Sequence, residues 1–370
     1  MRIASFNVEN MFDRAKALNT DSWAEGKPAL EAHRALNALF NKPNYTAADK
    51  TKMLKLLKEQ GLLKDDDGPF LLLRRIRGKF LKRPSSGAVT VEATGRADWV
   101  GWVELKTEHV DARATENTAR VINAVNADIV GVVEAEDRTT LRRFNDQMLP
   151  RIGGTKYEHV MLIDGNDDRG IDVGLMTRAS YPILSIVSHV YDADAQGTIF
   201  SRDCAEYEIA LPGGGSLIVL VNHLKSKGYG GQADNDAKRM RQAARIRTIV
   251  DARIAQGKKL IAVIGDFNDT PQRPPLQPLL AQGSTLKDIA EAMGFDNGGR
   301  PGTHDNCTAA SKLDYILLSS DLLAKVTAAG YERRGMWGGV NGTLWPHFPE
   351  VEKQLHAASD HAALWVDIAI

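Results

Sequence analysis

The chain is 370 residues long with 43% apolar residues, enough to bury a sizeable core in one large α/β domain or two ordinary ones. Its 47 Lys and Arg are matched by 47 Asp and Glu. The zero net charge excludes a generic polyanion binder that relies on a broad basic field, so any attraction for phosphate must be local or carried by a metal. No apolar run reaches the roughly 20 residues that span a bilayer, and two cysteines, Cys204 and Cys307, in no CxxC or Cys/His cluster exclude a disulfide framework.

In chain order, residues 2–6 read as a first strand. Asn7 and Glu9 interrupt the apolar stretch before it reaches the length of a secretory h-region. Taken as complete, the chain is expected in the cytoplasm, with no membrane association. From about 13 to 110 the composition changes to Leu and charge, with a helical pattern over 48–60. Within it, 71–83 holds six basic residues (Arg74, Arg75, Arg77, Lys79, Lys82 and Arg83) and no acid. Two readings stay open: a solvated, salt-bridged insertion, or a basic arm directed at a nucleic-acid backbone.

After this segment, short apolar runs at 129–133, 171–176, 217–222, 260–264, 315–318 and 364–368 have the length of strands. Helices are predicted at 118–125 and 237–255. The second carries Met240, Ala243, Ile246 and Val250 at helical spacing, a polar face of Lys238, Arg241 and Arg245, and Asp234 or Asn235 as its cap. Pro212 to Ser216 reads as a hairpin turn between two alternating runs. The pattern is mixed α/β with many strands, not a strict βαβ alternation.

Acids, amides and histidines recur at the ends of these strands. Strand 2–6 runs into Asn7-Val-Glu9-Asn10, and 129–133 into Glu134. The run at 217–221 ends in Asn222-His223, and the run at 260–264 in Gly265-Asp266-Phe267-Asn268-Asp269. Asp314 opens the run at 315–318, and Ser359-Asp360-His361 precedes the last strand. Any one of these alone also fits a solvated carboxylate or an ordinary turn. Together they place many charges on one rim of a sheet. Glu and Asp oxygens suit Mg²⁺ or Mn²⁺, and two histidines among carboxylates suit a base and a proton donor. No HxH or HExxH pattern points to zinc.

The segments SFNVEN at 5–10, DIVGVVEAED at 128–137, RGIDVGLMTR at 169–178, NHLKSKG at 222–228, IGDFND at 264–269, KLDYIL at 312–317 and SDHAALW at 359–365 resemble the endonuclease/exonuclease/phosphatase superfamily, in its deoxyribonuclease I-like, bacterial nuclease-like form. The resemblance covers the whole chain except the insertion, and implies one domain over 1–370 with an inserted segment at about 13–110. It implies an α/β fold, a four-layer α/β/β/α sandwich of two facing mixed β-sheets flanked by helices.

It also implies roles. Glu134 resembles the principal metal ligand, aided by Asn7 and Asp360. His361 resembles the base that activates water, and Asp314 the acid that orients it. Asp266 and Asn268 resemble the pair that positions the nucleophile and binds phosphate. His223 resembles the second histidine, which with Asn7 and Asn268 contacts the phosphate oxygens. Glu9 stands where the family has Asn or Asp, and is a further candidate ligand.

The segment 337–348, with Trp337, Trp345, His347 and Phe348, reads either as a packed loop or as a wall for stacking a flat group. Lys312-Leu-Asp314-Tyr315 resembles the nuclease form of that motif, whereas inositol phosphatases of the family carry Trp-Cys-Asp-Arg there. The expectation is a Mg²⁺- or Mn²⁺-dependent phosphodiester hydrolase acting on DNA, RNA or a small phosphodiester. A phosphomonoesterase or a small-molecule phosphodiesterase is the alternative.

Overall fold

The computed structural model describes residues 1–9, 16–18, 23–107, 112–167, 170–227 and 231–370. Asn10, Arg169 and Gly228, which belong to three of the motifs above, lie outside the described residues, as do positions 13 and 110 that bound the insertion. The chain divides into two compact units: Met1–Phe12 with Val110–Ile370, and Asp13–His109.

In the first unit the continuous apolar runs form strands that are covered on both faces, as their lack of polar alternation requires. Among the described residues, one seven-stranded sheet has the order Phe295–Asp296, Val326–Glu332, Ala363–Ile368, Arg2–Asn7, Ile129–Ala135, Asp172–Thr177, His159–Ile163. A six-stranded sheet has the order Leu286–Asp288, Asp314–Ser319, Ile261–Asp266, Ser216–His223, Cys204–Ala210, Ile183–Val187.

The two sheets face each other. Ile3, Ile129, Val133, Leu175 and Val366 from the first pack with Tyr207, Leu217, Val219, Ile264 and Ile316 from the second in one buried cluster. The alternate residues face outward. Ala4, Phe6, Val130 and Val132 meet the helix Ala112–Val125, and Ile218, Leu220, Val263 and Leu317 meet the helix Gln232–Ala255. The result is the four-layer α/β/β/α sandwich of two mixed sheets. No described helix is long and apolar enough to cross a membrane. Cys204 and Cys307 are buried free thiols.

The second helix departs from its sequence reading. It begins at Gln232, with Gly231 as N-cap and no side-chain cap. Asp234 and Asn235 therefore lie inside it, Asp234 in the first turn, where its charge suits the positive helix end. Met240 is 41% exposed. The buried stripe instead runs through Arg239, Gln242, Ala243, Ile246, Ile249 and Val250, because Arg239 finds buried carboxylate partners and takes the inward position. The helix Ala112–Val125 is also longer than its apolar pattern suggested.

The unit Asp13–His109 has a core of its own. Its helices are Trp23–Phe40 and Ala47–Glu59, the latter opened by a Thr46/Asp49 capping box that satisfies two backbone donors. The strand Leu71–Arg77 pairs antiparallel with Val100–Leu105, and Leu81–Lys82 with Thr90–Val91. Phe40, Phe80 and Trp99 form an aromatic trio with centroids 4.4–4.9 Å apart, backed by Leu36, Met53, Leu57 and Val103. Three of the six basic residues of 71–83 are ion-paired: Arg74 with Glu104, Lys79 with Glu92 and Arg83 with Asp66.

Candidate active site

Topology gathers the polar strand ends. Arg2–Asn7 runs parallel to Ile129–Ala135, with Asn7 opposite Val133. Ser216–His223 runs parallel to Ile261–Asp266, with His223 opposite Asp266. Their C-terminal ends share one rim, and the antiparallel neighbours begin there: Asp314 lies opposite Asp266, and Leu364 opposite Ser5. The two sheets thus deliver Asn7, Glu134, His223, Asp266, Asp314 and His361 to one place.

The backbone is bent to aim them. Glu134 has φ +67° where the register slips between Val133 and Ala135, a bulge that re-aims a side chain at the end of a strand. Glu9 and Asn268 also sit in the left-handed region, at φ +48° and +54°. Positive φ on non-glycine residues is costly and concentrates at functional sites. Gly265, just before Asp266, has φ +133°, and a Cβ there would lie 1.9 Å from the Asn222 carbonyl oxygen. Only glycine lets the Asp266 strand approach the His223 strand this closely.

The side chains interlock. The Asn7 amide Nδ2 lies 3.3 Å from Glu134 Oε1 and 3.2 Å from Asp266 Oδ2, and its Oδ1 accepts from the Glu9 backbone N–H at 3.0 Å. His223 Nε2 is 3.8 Å from Glu134 Oε1 and 3.7 Å from Asp266 Oδ2. Asp266 Oδ1 accepts from the Asn268 N–H at 2.8 Å, and Asn268 Nδ2 reaches Asp266 Oδ2 at 3.2 Å. His361 Nδ1 lies 2.8 Å from Asp314 Oδ2, leaving Nε2 to face Asp360 Oδ1 at 3.6 Å and Asp266 Oδ2 at 4.0 Å. Glu9 Oε2 accepts from the Asp360 N–H at 2.7 Å.

Every residue singled out from the sequence for this site is therefore in one connected cluster. Three other residues support the cluster, of which only Ser359 stood in a motif read from the sequence. Thr303 donates to Asp314 Oδ2 at 2.6 Å and accepts from the Asp314 N–H at 3.0 Å, fixing the acid behind His361. Ser359 ties the His361 N–H to the Asn7 carbonyl. His304 Nε2 lies 3.1 Å from Asp360 Oδ2, with its ring 4.6 Å from that of His361. His304 precedes no strand and lies in no apolar pattern, so the only cue was its place eight residues before Lys312 in the KLDYIL motif.

The electrostatics are those of crowded, buried acids. Burial, and then the neighbouring Asp360 and Glu134, push Glu9 up to about 8. Burial, and then Asp314, push Asp266 up to about 7. Burial alone would make Asp360 less acidic, but His361 and His304 hold it below the ordinary carboxylate range. Burial likewise opposes the charged form of His361, yet Asp314 and Asp360 raise it well above an ordinary imidazole. Asp360 Oδ1 is buried without a hydrogen-bond partner. An excess of close carboxylates with one orphaned oxygen fits a divalent cation. Among the described residues, His304, Asp360 and His361 form one group able to hold an ion, and Asp266, Asp314 and His361 another.

The loop after Asp266 is anchored from behind. Asp269, fully buried, meets Lys227 Nζ at 2.9 Å, Arg273 Nε at 3.1 Å and the buried Arg239 Nε at 3.2 Å. Arg239 and Arg273 both also pair with Asp236. In the segment 337–348, Trp337 stacks on His347 with centroids 5.3 Å apart, and His347 Nε2 lies 2.6 Å from the Trp337 carbonyl. This is the geometry of a loop packed on itself.

The model of the Endonuclease/Exonuclease/phosphatase family matches residues 101–334. No curated protein matches the sequence. Among solved structures, the mannosyl-6-phosphatase Bt3783 of Bacteroides thetaiotaomicron VPI-5482 is similar at a TM-score of 0.52 and 17% identity, over 70% of this chain and 91% of that one. An endonuclease/exonuclease/phosphatase family protein from Bacteroides thetaiotaomicron has a TM-score of 0.49 at 17% identity, over 69% and 88% of the two chains. The human Nocturnin catalytic domain with bound sulfate has 0.48 at 17%, over 71% and 88%. The Bt3783 likeness bears on the fold, and the family match covers more than half of the sequence: the chain belongs to the endonuclease/exonuclease/phosphatase family.

Proposed function

We propose that the protein is a divalent-metal-dependent phosphodiester hydrolase, a nuclease, with Met1–Phe12 and Val110–Ile370 as its catalytic domain and Asp13–His109 inserted into it. The observation that carries this reading is the Asp314–His361 pair at 2.8 Å, its outer nitrogen facing a cluster of acids and amides.

Asp314, held by Thr303, accepts from Nδ1–H and fixes the tautomer that leaves Nε2 free to take a proton from water. Asp266, within 4.0 Å of that nitrogen, positions the water. Asn7, Asn268 and His223 donate to the phosphate oxygens as charge builds on them. Glu134 with Asn7, and Asp360 with Glu9, would hold Mg²⁺ or Mn²⁺. A bound ion of this kind supplies Lewis-acid polarisation of a phosphoryl oxygen and a template for the substrate.

The test is hydrolysis of supercoiled plasmid, a short RNA, bis-p-nitrophenyl phosphate and p-nitrophenyl phosphate, side by side with Mn²⁺. Cutting of plasmid or RNA, with the small diester also turned over, is the expected result. Turnover of the monoester alone would overturn the diesterase assignment.

His304 enters this scheme as a positioning residue, since it holds Asp360. Loss of such a partner typically costs 10- to 100-fold in metal affinity. The expected result for His304→Ala is therefore a rise of about 10- to 100-fold in the Mn²⁺ concentration giving half-maximal hydrolysis, with His304→Gln, which keeps a donor, closer to wild type. Identical Mn²⁺ titrations of the alanine variant and the wild type would remove His304 from the site.

A further inference from the structure

The zero net charge of the chain conceals a division. Residues 13–109 carry 18 Lys and Arg against 13 Asp and Glu, while the remainder carries 29 against 34. Much of the acid in the smaller unit is already paired: Asp49 with Lys42, Asp66 with Arg83, Asp67 with Lys106, Glu92 with Lys79 and Glu104 with Arg74. Arg75 and Arg77 are exposed, and among the described residues neither has an acidic partner. Arg77 donates to the Ala97 carbonyl.

These two arginines share a strand pair with the only large apolar side chains exposed among the described residues of the unit, Ile76 at 70% and Trp102 at 39%. Arg74 lies opposite Trp102, Arg75 opposite Gly101 and Arg77 opposite Val100. The register slips between Arg75 and Arg77, so Ile76 is the bulged residue turned outward. Two exposed apolar side chains are too few to bury a face in a membrane, which takes an extended apolar stripe. Directly opposite residues share a face of the pair, so Trp102 lies with Arg74, already paired to Glu104, and with Arg77 farther along, while Arg75 belongs to the other face. A half-exposed indole with an unpaired guanidinium along its own face suits a different ligand: a chain with a charge at each repeat and a flat, stackable ring beside it.

We propose that the unit Asp13–His109 binds a single nucleic-acid strand along this face, with a phosphate on Arg77 and a base stacked on Trp102. The inference rests on the nuclease reading above and names its substrate class. The experiment is fluorescence anisotropy of a labelled oligothymidylate with the full chain in EDTA, across a range of salt. Hydrolysis of bis-p-nitrophenyl phosphate with Mn²⁺ is measured in parallel.

The variant Arg77→Ala is expected to bind several-fold more weakly, with the slope of log affinity on log salt reduced by about 0.7, the value for one lost phosphate contact on a single strand. Trp102→Ala is expected to weaken binding about tenfold with the slope unchanged. Small-diester hydrolysis should be unaltered in both, since none of these residues lies in the catalytic cluster. Failure of the wild type to hydrolyse the small diester would count against the catalytic proposal alone, because strand binding is read without metal. Equal oligonucleotide affinity in wild type and Arg77→Ala, or wild-type binding to phosphatidylserine vesicles but not to the oligonucleotide, would overturn the inference.

Discussion

Replacing His361 with alanine is expected to lower kcat for bis-p-nitrophenyl phosphate by roughly 10³- to 10⁴-fold while leaving the fold intact. Removal of a general base costs about 10²- to 10⁴-fold, and the upper part of that range applies because the dyad is buried and already ordered. His361 is 7% exposed, Asp314 1%, and Thr303 fixes the acid from behind. Asp314→Asn should fall in a similar range, since the amide holds the imidazole in the wrong tautomer. The double variant should be little worse than either single one, because the two act as a unit. Steady-state hydrolysis by the purified variants, with circular dichroism to confirm folding, measures this. A His361→Ala protein within tenfold of wild type would remove His361 from the base role.

Asp269→Ala is expected to destabilise the protein by roughly 3–5 kcal/mol, the usual cost of leaving buried charges without their counter-ion. Asp269 answers three cations, and Arg239 among them is fully buried. Arg239 keeps Asp236 and the Lys225 carbonyl, which places the estimate at the lower end. At about 1–2 °C per kcal/mol for a chain of this size, from about 2.1 cal/mol/K of unfolding entropy per residue, the thermal midpoint should fall by roughly 3–6 °C. Because the same carboxylate tethers the loop that presents Asn268, activity should fall too, though far less than in His361→Ala. A midpoint unchanged within about 2 °C would show that the network does not hold the loop.

The strands were legible in the sequence because they are covered on both faces, while their stacking as two facing sheets was implied only by the family resemblance. Runs such as Ile129–Val133 and Leu217–Val221 are apolar without alternation, and each ends abruptly in a polar residue where the sheet ends. That same abruptness exposed Asn7, Glu134, His223, Asp266 and His361. Local pattern did not reach what is settled by contacts between distant segments. His304 meets Asp360 across 56 residues, and apart from its place before the KLDYIL motif nothing near it in the sequence signals this. It adds a third imidazole to a site for which the sequence had pointed to two, His223 and His361.

Arg239 reads as one more charge on a basic helix. Only Asp269, 30 residues on, makes it an inward residue and displaces Met240 to the surface. The helix start was misjudged because Gly231 offers no capping side chain, while Asp234 and Asn235 resemble caps and lie within the first turn. The unit Asp13–His109 looked like charged surface, since its core residues Phe40, Phe80 and Trp99 are far apart in sequence and meet only when folded.

The most direct test of the catalytic account is the rate of bis-p-nitrophenyl phosphate hydrolysis by EDTA-stripped protein as Mn²⁺ is returned, in wild type and in Glu134→Gln. The expected result is no turnover in EDTA, saturable recovery in the wild type, and a shift of about 100-fold or more toward higher Mn²⁺ in the variant, as loss of a principal ligand exceeds the 10- to 100-fold cost of losing an outer partner. Undiminished hydrolysis in EDTA, or recovery of Glu134→Gln at the wild-type Mn²⁺ concentration, would contradict it.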